Sequence, residues 1–167
     1  RNRPMPTQSS VAAFRHAVHR YSPIPDDEWE WAAPHLRERS IVSGAHLSLE
    51  GRTAARIELV LSGLVRSYYL HDGRDRVRSF SREGELVAAY DTVVTGEPAL
   101  FSIQALEDTH LIGFDKEVID SAYERHVCWE RLGRKIAERL WILKERKIRF
   151  HRLSSPEARY RDLSERD

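Results

Sequence analysis

The residues of this chain that could carry chemistry are eight histidines, one cysteine and a glycine-bounded segment with the outline of a ligand-binding loop. This segment, GELVAAYDTVVTGEPALFSIQALED, covers residues 84–108 and contains no basic residue. Phosphate ligands are usually held by charge-assisted hydrogen bonds from Arg or Lys. The segment by itself therefore offers no side chain that would neutralise a bound phosphate.

A metal-dependent enzyme is one alternative, because cupin-type enzymes are also small β-rolls. Their metal is held by a His-x-His pair, a nearby Glu and a later His. The nearest fragment is GAHLSLEG, where Ser48 stands in place of a second histidine after His46, and Glu50 stands alone. The other histidines show no ligand spacing: His16, His19, His35, His71, His110, His126 and His151. We predict no metal site, although haem binding through one histidine stays open.

Cys128 is the single cysteine, so an internal disulfide framework and a cysteine-based zinc or iron–sulfur site are excluded. We expect it to be a small buried apolar residue. The chain has no glycine-rich nucleotide loop opening a helix and no G-x-S-x-G motif. The sequence therefore predicts no enzyme, no catalytic residue and no cofactor.

The charges are balanced, with 27 Lys and Arg against 26 Asp and Glu. This composition lacks the overall basic field of a dedicated nucleic-acid-binding domain, so DNA contacts would be local or lie elsewhere. No apolar run approaches the roughly 20 residues of a membrane-spanning helix. We expect a cytoplasmic protein with no membrane partner.

Helical and strand-like patterns divide the chain. Helical patterns cover Val11 to Tyr21 and DDEWEWAAPHL, in which Asp26 and Asp27 form an acidic first turn. From Arg39 onward, glycines recur mostly about 10 to 12 residues apart between alternating segments, a spacing typical of short antiparallel strands. The Asp72-Gly73 pair predicts a tight hairpin, because its glycine tolerates positive φ. Further strands are FSIQAL and HLIGFD, and a short helix follows a cap at Asp115.

The longest helical pattern runs from Trp129 to Phe150 and carries an apolar stripe along one side. The stripe consists of Trp129, Leu132, Ile136, Leu140, Leu143 and Phe150. It could pack on the roll of the same chain or pair with a second subunit. We favour the homodimer, because about 22 helical residues extend roughly 33 Å, more than a small roll needs. The basic residues beside the stripe are interpreted as its solvated face rather than as a DNA surface.

The order of these features resembles the Crp/Fnr family of bacterial transcription regulators. The matching text is LSLEGRTAARIELVLSGLVRSYYLHDGRDRVRSFSREGELV, then TGEPALFSIQALEDTHLIGF, then the long helix, within residues 14–163. The resemblance implies a mainly β fold with flanking helices: an antiparallel β-roll, or double-stranded β-helix, of the cyclic-nucleotide-binding type. It also implies a dimerisation helix and a downstream winged helix-turn-helix that binds DNA. SSPEARYRDL, residues 154–163, resembles the linker and first helix of that domain.

The resemblance also allows the loop to be compared with the family residue by residue. In members that bind cyclic nucleotides, this segment forms a phosphate cassette, with a Gly-Glu pair near its start that binds the ribose and an Arg-Ser/Thr pair near its end that binds the phosphate. Here the corresponding positions hold Ala88-Ala89 and Ala99-Leu100, whereas Gly84-Glu85 falls in the turn before the cassette. An unpaired buried phosphate would cost at least several kcal/mol, so we expect no cyclic AMP binding in the usual mode.

The side chains present along this loop could form the wall of an apolar or weakly polar effector pocket, or they could simply fill the roll. These residues are Val87, Ala88, Ala89, Tyr90, Ala99, Leu100 and Ser102. The sequence divides into a flexible leader at 1–10, an effector roll at 11–127, a dimerisation helix at 128–153, and the start of a DNA-binding domain at 154–167. We predict the sensory part of a Crp/Fnr-like regulator. The alternative is a stand-alone β-roll sensor that acts through protein partners.

Overall fold

The computed structural model describes residues 6–53 and 55–153. The helices are α1 Gln8–His19, α2 Asp26–Ala32, α3 Tyr90–Thr95, α4 Lys116–Arg125 and α5 Val127–Leu153, with a short 3-10 turn at Ala33–His35. The strands are β1 Arg37–Ile41, β2 His46–Ser48, β3 Arg56–Ser62, β4 Leu64–His71, β5 Arg74–Arg82, β6 Leu86–Val87, β7 Ser102–Ala105 and β8 Thr109–Asp115. The predicted linker and DNA-binding helix at 154–163 lie outside the described residues.

The first helix begins earlier than the sequence predicted, so residues 8–10 are not part of a leader. Thr7 caps α1 by accepting a hydrogen bond from the backbone N–H of Ser10 at 3.2 Å. The carboxylate of Glu38 accepts hydrogen bonds from the Ser10 hydroxyl at 3.0 Å and the Thr7 backbone N–H at 3.2 Å. These bonds attach the start of α1 to β1. The helix pattern missed them because they depend on a residue far along the chain.

The strands form two antiparallel four-stranded sheets. The first has the order β1-β8-β3-β6 and the second the order β2-β7-β4-β5. This arrangement confirms the predicted antiparallel β-roll with a long helix after it. No helix in the described ranges 6–53 and 55–153 has the length and apolar character needed to cross a membrane.

The apolar side chains divide into two clusters on opposite faces of the first sheet. The inner core lies between the sheets and contains Val60, Val65, Val87, Ala89, Ala99, Phe101, Ile103 and Leu111. The helix-side core lies under the helices and includes Phe14, Trp29, Leu36, Leu59, Ile112, Phe114, Cys128, Trp129 and Leu132. Successive residues of a strand point to opposite faces. Accordingly Leu59 and Ile112 reach the helices, whereas Val60 and Leu111 reach the interior of the roll.

The hairpin predicted at Asp72-Gly73 is present between β4 and β5. His71 pairs with Arg74 at its base. Both turn residues are left-handed, with φ of 52° for Asp72 and 69° for Gly73. This is the combination required by a type I′ turn, whose twist matches that of the flanking strands.

The predicted cap at Asp115 has a different role from the one expected. Asp115 occupies the N-cap position of α4, but its side chain makes no capping hydrogen bond. Its carboxylate instead lies 3.1 Å from the guanidinium of Arg56 on β3. The residue therefore joins the end of β8 to its neighbouring strand.

Gly113, in the centre of β8, allows β8 and β3 to approach closely. A Cβ at this position would lie 2.0 Å from the carbonyl oxygen of Ile57 and 2.7 Å from the Cα of Glu58. Real Cβ atoms do not tolerate such contacts with backbone. A side chain at residue 113 would therefore separate the two central strands of the first sheet.

We expect Gly113→Ala to lower the free energy of unfolding by about 3 kcal/mol, since backbone on both strands must move. Gly84→Ala is the matched control, because a Cβ there meets nothing within 4 Å and only the positive φ of 79° is unfavourable. That backbone strain costs roughly 1–2 kcal/mol. Urea denaturation monitored by circular dichroism measures both. Equal losses for the two variants would contradict the close approach.

Candidate ligand-binding site

The loop segment 84–108 contains β6, α3 and β7. Gly84 lies in the turn after β5, where Glu85 accepts a hydrogen bond from the backbone N–H of Arg82 at 3.0 Å. The carboxylate of Glu85 is thus engaged with its own turn. This matches the placement of Gly84-Glu85 before the cassette.

The predicted effector-pocket residues face different surroundings. Val87, Ala89 and Ala99 are buried in the inner core. Ala88 packs against the helix-side core, and Tyr90 is half-buried at the start of α3. Leu100 is 66% exposed, and the buried Ser102 hydroxyl accepts the backbone N–H of Glu50 at 3.0 Å. The burial of Val87, Ala89 and Ala99 supports the alternative that these side chains fill the roll. An effector site at Ala88, Tyr90, Leu100 and Ser102 stays a prediction.

An acidic side chain, Asp91, occupies the loop near the positions where the family resemblance implies phosphate contacts. Asp91 lies in the first turn of α3, and Oδ2 accepts the backbone N–H of Leu100 at 2.7 Å. Its other oxygen, Oδ1, is buried with no hydrogen-bond partner among the described residues. The carboxylate therefore uses an amide that would otherwise be open to a bound anion. It also brings negative charge to the loop.

Two arginines lie at the edge of this loop. The carbonyl of Arg52 accepts the backbone N–H of Ala99 at 2.9 Å, and Gly51 donates back to the carbonyl of Ala99 at 2.8 Å. The guanidinium of Arg78 lies 4.5 Å from the ring centre of Phe101. Such a cation–π contact holds Arg78 over the ring. Neither arginine stands at the cassette positions 99 and 100.

The histidine fragment considered for a metal site has other contacts. His46 Nε2 lies 2.8 Å from the hydroxyl of Tyr68. The carboxylate of Glu50 accepts the backbone N–H of Leu70 at 3.4 Å. Within residues 6–53 and 55–153, no three His, Cys, Asp or Glu side chains converge as a metal site would require.

A buried carboxylate, Glu28 of α2, fixes the start of α5. Its Oε2 accepts hydrogen bonds from the indole Nε1 of Trp129 at 2.9 Å and from Nε of Arg125 at 3.1 Å. The guanidinium of Arg125 also lies 5.0 Å from the ring centre of Trp31. A buried indole N–H needs an acceptor, and a buried carboxylate needs donors. This cluster joins α2 to the junction of α4 and α5.

The predicted dimer stripe divides along α5. Trp129 and Leu132 are buried in the helix-side core of their own chain, and Ile136 packs at its edge. The prediction that Trp129 and Leu132 contact a second subunit was wrong. The hydrogen bond from Trp129 to Glu28 and packing on the first sheet place the first turns of α5 inside the domain. Leu140 and Leu143 are 42% and 45% exposed, and their contact with a second subunit stays a prediction. Phe150 is half-buried.

Glu28 and Asp91 are residues that sequence reasoning did not select. Glu28 looks like one of several acidic residues at a helix start, and Asp91 like an ordinary polar loop residue. A signal for Glu28 was available, because a tryptophan on an apolar stripe needs an acceptor for its N–H. The sequence did not indicate which carboxylate would supply it.

We expect Glu28→Ala to lower the free energy of unfolding by about 2–3 kcal/mol, since the buried Trp129 N–H loses its acceptor. Glu30→Ala is the matched control on the exposed side of the same helix, where the change should stay within about 0.5 kcal/mol. Chemical denaturation monitored by tryptophan fluorescence tests both. A loss at Glu28 no larger than that at Glu30 would refute the anchoring role.

Cys128 should be unreactive in the folded protein. Burial, together with the smaller effect of the nearby charges of Glu28 and Asp27, raises the pKa of its thiol, which therefore stays protonated at pH 8. Because thiolate is the reactive form, we expect Ellman's reagent to react roughly 100-fold more slowly with folded than with urea-unfolded chain. Cys128 is the single cysteine, so the whole signal reports on it. Similar rates in both states would contradict its buried position.

The comparisons with known proteins agree with this geometry. The sequence profile of the cyclic nucleotide-binding domain family matches residues 38–126, from β1 to the end of α4 and more than half of the chain. No curated protein sequence shows significant similarity to the chain.

Several solved structures share the fold. Catabolite activator protein from Thermus thermophilus is similar with a TM-score of 0.65 and 22% identity, over 82% of this chain and 62% of that one. DNR from Pseudomonas aeruginosa is similar with a TM-score of 0.66 and 17% identity, over 89% and 65%. The N-terminal domain of a transcriptional regulator from Streptomyces coelicolor A3(2) gives 0.62 and 19%, over 83% and 94%.

The chain thus spans less than two thirds of the first two of these proteins and nearly all of an isolated N-terminal domain. At these identities the structures show a shared fold. The profile match and the two-sheet roll together give the family: the chain belongs to the cyclic nucleotide-binding domain family.

Proposed function

We propose that this chain is the sensory and dimerisation part of a Crp/Fnr-like transcription regulator that does not take cyclic AMP in the usual mode. The observation that carries the proposal is the division of α5. Its first turns belong to the core of the roll, whereas the remainder exposes Leu140, Trp141, Ile142 and Leu143. The names of the structural neighbours, a catabolite activator protein and a transcriptional regulator, support the same role.

The length of α5 suits a subunit interface. The stretch from Ile136 to Leu153 extends roughly 26 Å at 1.5 Å per residue. Its contact with the body of its own chain includes the Lys147 ammonium group, which donates to the carbonyl of Arg78 on β5. Exposed apolar patches that are rimmed by charges mark interaction sites. Pairing with α5 of a second copy would cover this patch, which favours a homodimer.

Such a dimer provides a physical route for regulation. Because the first turns of α5 are fixed to α2, a change in the helix-side core would alter the direction of α5. Two paired helices would transmit that change to DNA-binding domains attached beyond them. The coupling is a shift between two orientations that bind DNA differently.

The loop argues against cyclic AMP as the effector. The positions expected to carry the ribose and phosphate contacts hold Ala88-Ala89 and Ala99-Leu100. Asp91 accepts the backbone N–H of Leu100 and places a carboxylate in the same loop. A phosphate bound there would face a negative charge and no cassette arginine. We therefore infer a different effector or a fixed unliganded form.

We expect millimolar cyclic AMP to leave the melting temperature unchanged. A ligand at 100 times its dissociation constant would stabilise the fold by about 2.7 kcal/mol, which a thermal-shift titration detects readily. Adenosine is the control ligand, because it has the base and ribose without the phosphate. A saturable rise with cyclic AMP and none with adenosine would overturn the proposal, since it would show phosphate recognition despite Asp91.

The dimer is tested with the double variant Leu140→Lys and Leu143→Lys. Burying two leucines stabilises an interface by about 3 kcal/mol or more, so we expect the dissociation constant of the dimer to rise roughly 100-fold or more. Glu145→Lys places the same charge on an exposed residue outside the stripe and serves as the control. Sedimentation velocity over a concentration series measures both. A monomeric parent chain, or equal effects, would contradict the interface.

The regulator role and the stand-alone sensor differ in whether a DNA-binding domain is attached beyond α5. We expect the native reading frame to continue past Asp167 into a winged helix-turn-helix. A stop codon at that point would favour the stand-alone sensor. Sequencing the gene beyond this position decides between them.

A further inference from the structure

An apolar cleft of about 50 Å³ lies between the helices and the outer face of the first sheet. Its walls come from α1, the first sheet, α4 and the first turns of α5, and include Phe14, Phe114, Ala122, Tyr123, Trp129 and Ile136. About 10–15 Å³ suffices for one water, so the cleft exceeds an ordinary packing defect. It lies on the opposite side of the first sheet from the inner core, and Leu86 is the residue of the segment 84–108 that lines it.

One residue that lines the cleft, Tyr123, carries a hydroxyl group. Tyr123 is half-buried on α4, and its hydroxyl lies against Gly133 of α5, where a Cβ would approach it to 2.3 Å. No hydrogen bond joins this hydroxyl to another group within residues 6–53 and 55–153, and its oxygen is not fully shielded from solvent. An unpaired hydroxyl in an otherwise apolar wall is the arrangement that orients a small ligand.

Gly133 supports this assignment. A glycine inside a helix costs about 1 kcal/mol relative to alanine. At this position the missing side chain leaves the space that the Tyr123 hydroxyl occupies. Burial, with smaller effects from Tyr90 and Asp120, raises the pKa of Tyr123 above its usual value. The side chain therefore stays a neutral hydroxyl at pH 7 and can donate or accept a hydrogen bond.

We infer that this cleft is a binding site for a small, mostly apolar molecule with one hydrogen-bonding group, such as a phenol, which pairs with the hydroxyl of Tyr123. The ligand would contact the sheet on one side and Trp129, Gly133 and Ile136 of α5 on the other. A bound ligand would then change the direction in which α5 leaves the domain. The inference concerns binding to this chain alone and does not rest on DNA recognition or on dimerisation.

The test compares phenol with toluene, which has nearly the same shape and lacks the hydroxyl. Isothermal titration calorimetry gives the affinities, and amide NMR shifts give the location. We expect saturable binding of both, with phenol bound about fivefold more tightly, the equivalent of one net hydrogen bond of about 1 kcal/mol. The largest shifts are expected at α4 and the first turns of α5.

Two variants in the cleft and one control variant outside it test the inference. Tyr123→Phe should reduce phenol affinity to that of toluene, while Tyr69→Phe, at an exposed tyrosine of β4, should leave the fivefold preference intact. Ala122→Leu, which fills the cleft, should abolish binding of both. If it unfolds the chain, the Tyr123→Phe result decides alone. Absence of saturable binding, shifts centred on Leu100 and Phe101, or an unchanged preference in Tyr123→Phe would each overturn the inference.

Discussion

The buried carboxylate of Glu28 makes the first turns of α5 part of the domain rather than an appendage to it. It accepts hydrogen bonds from Trp129 and Arg125, so α2, α4 and α5 converge on one buried charge. The cost of burying a carboxylate is offset only while both donors stay in place. The direction in which α5 leaves the roll is therefore coupled to the packing of the helix-side core. The proposed regulation depends on that coupling.

The first sheet divides the molecule into two environments with separate tasks. On its inner face, small and branched side chains fill the roll, and Val87, Ala89 and Ala99 of the cassette take part in that filling. On its outer face, large aromatic residues pack less completely and leave an apolar cleft beside Tyr123. This domain therefore has no arginine at positions 99 and 100 of the loop and has a concave apolar cleft beside the first turns of α5.

Much of the fold was predictable because its signals are local. Glycine spacing and alternation indicated the antiparallel roll, Asp72-Gly73 the hairpin, and the 3.6-residue period α5. The start of α1 was missed because Thr7 and Ser10 are held by Glu38, which lies 31 and 28 residues away. The candidate site was harder to predict from the sequence. The absence of basic residues in the loop was visible in the sequence, but the contact between Asp91 and Leu100 was not.

The amino-acid sequence by itself determined the class of fold, the family resemblance and the lack of arginine at the cassette, since these depend on residue types and spacing along the chain. Only the tertiary structure decided which part of the α5 stripe is buried in its own domain and where an unpaired hydroxyl faces an apolar cleft. Periodicity shows that one side of a helix is apolar but not what will cover it. Trp129 and Leu140 share that stripe, and only the position of the sheet and of Glu28 separates them.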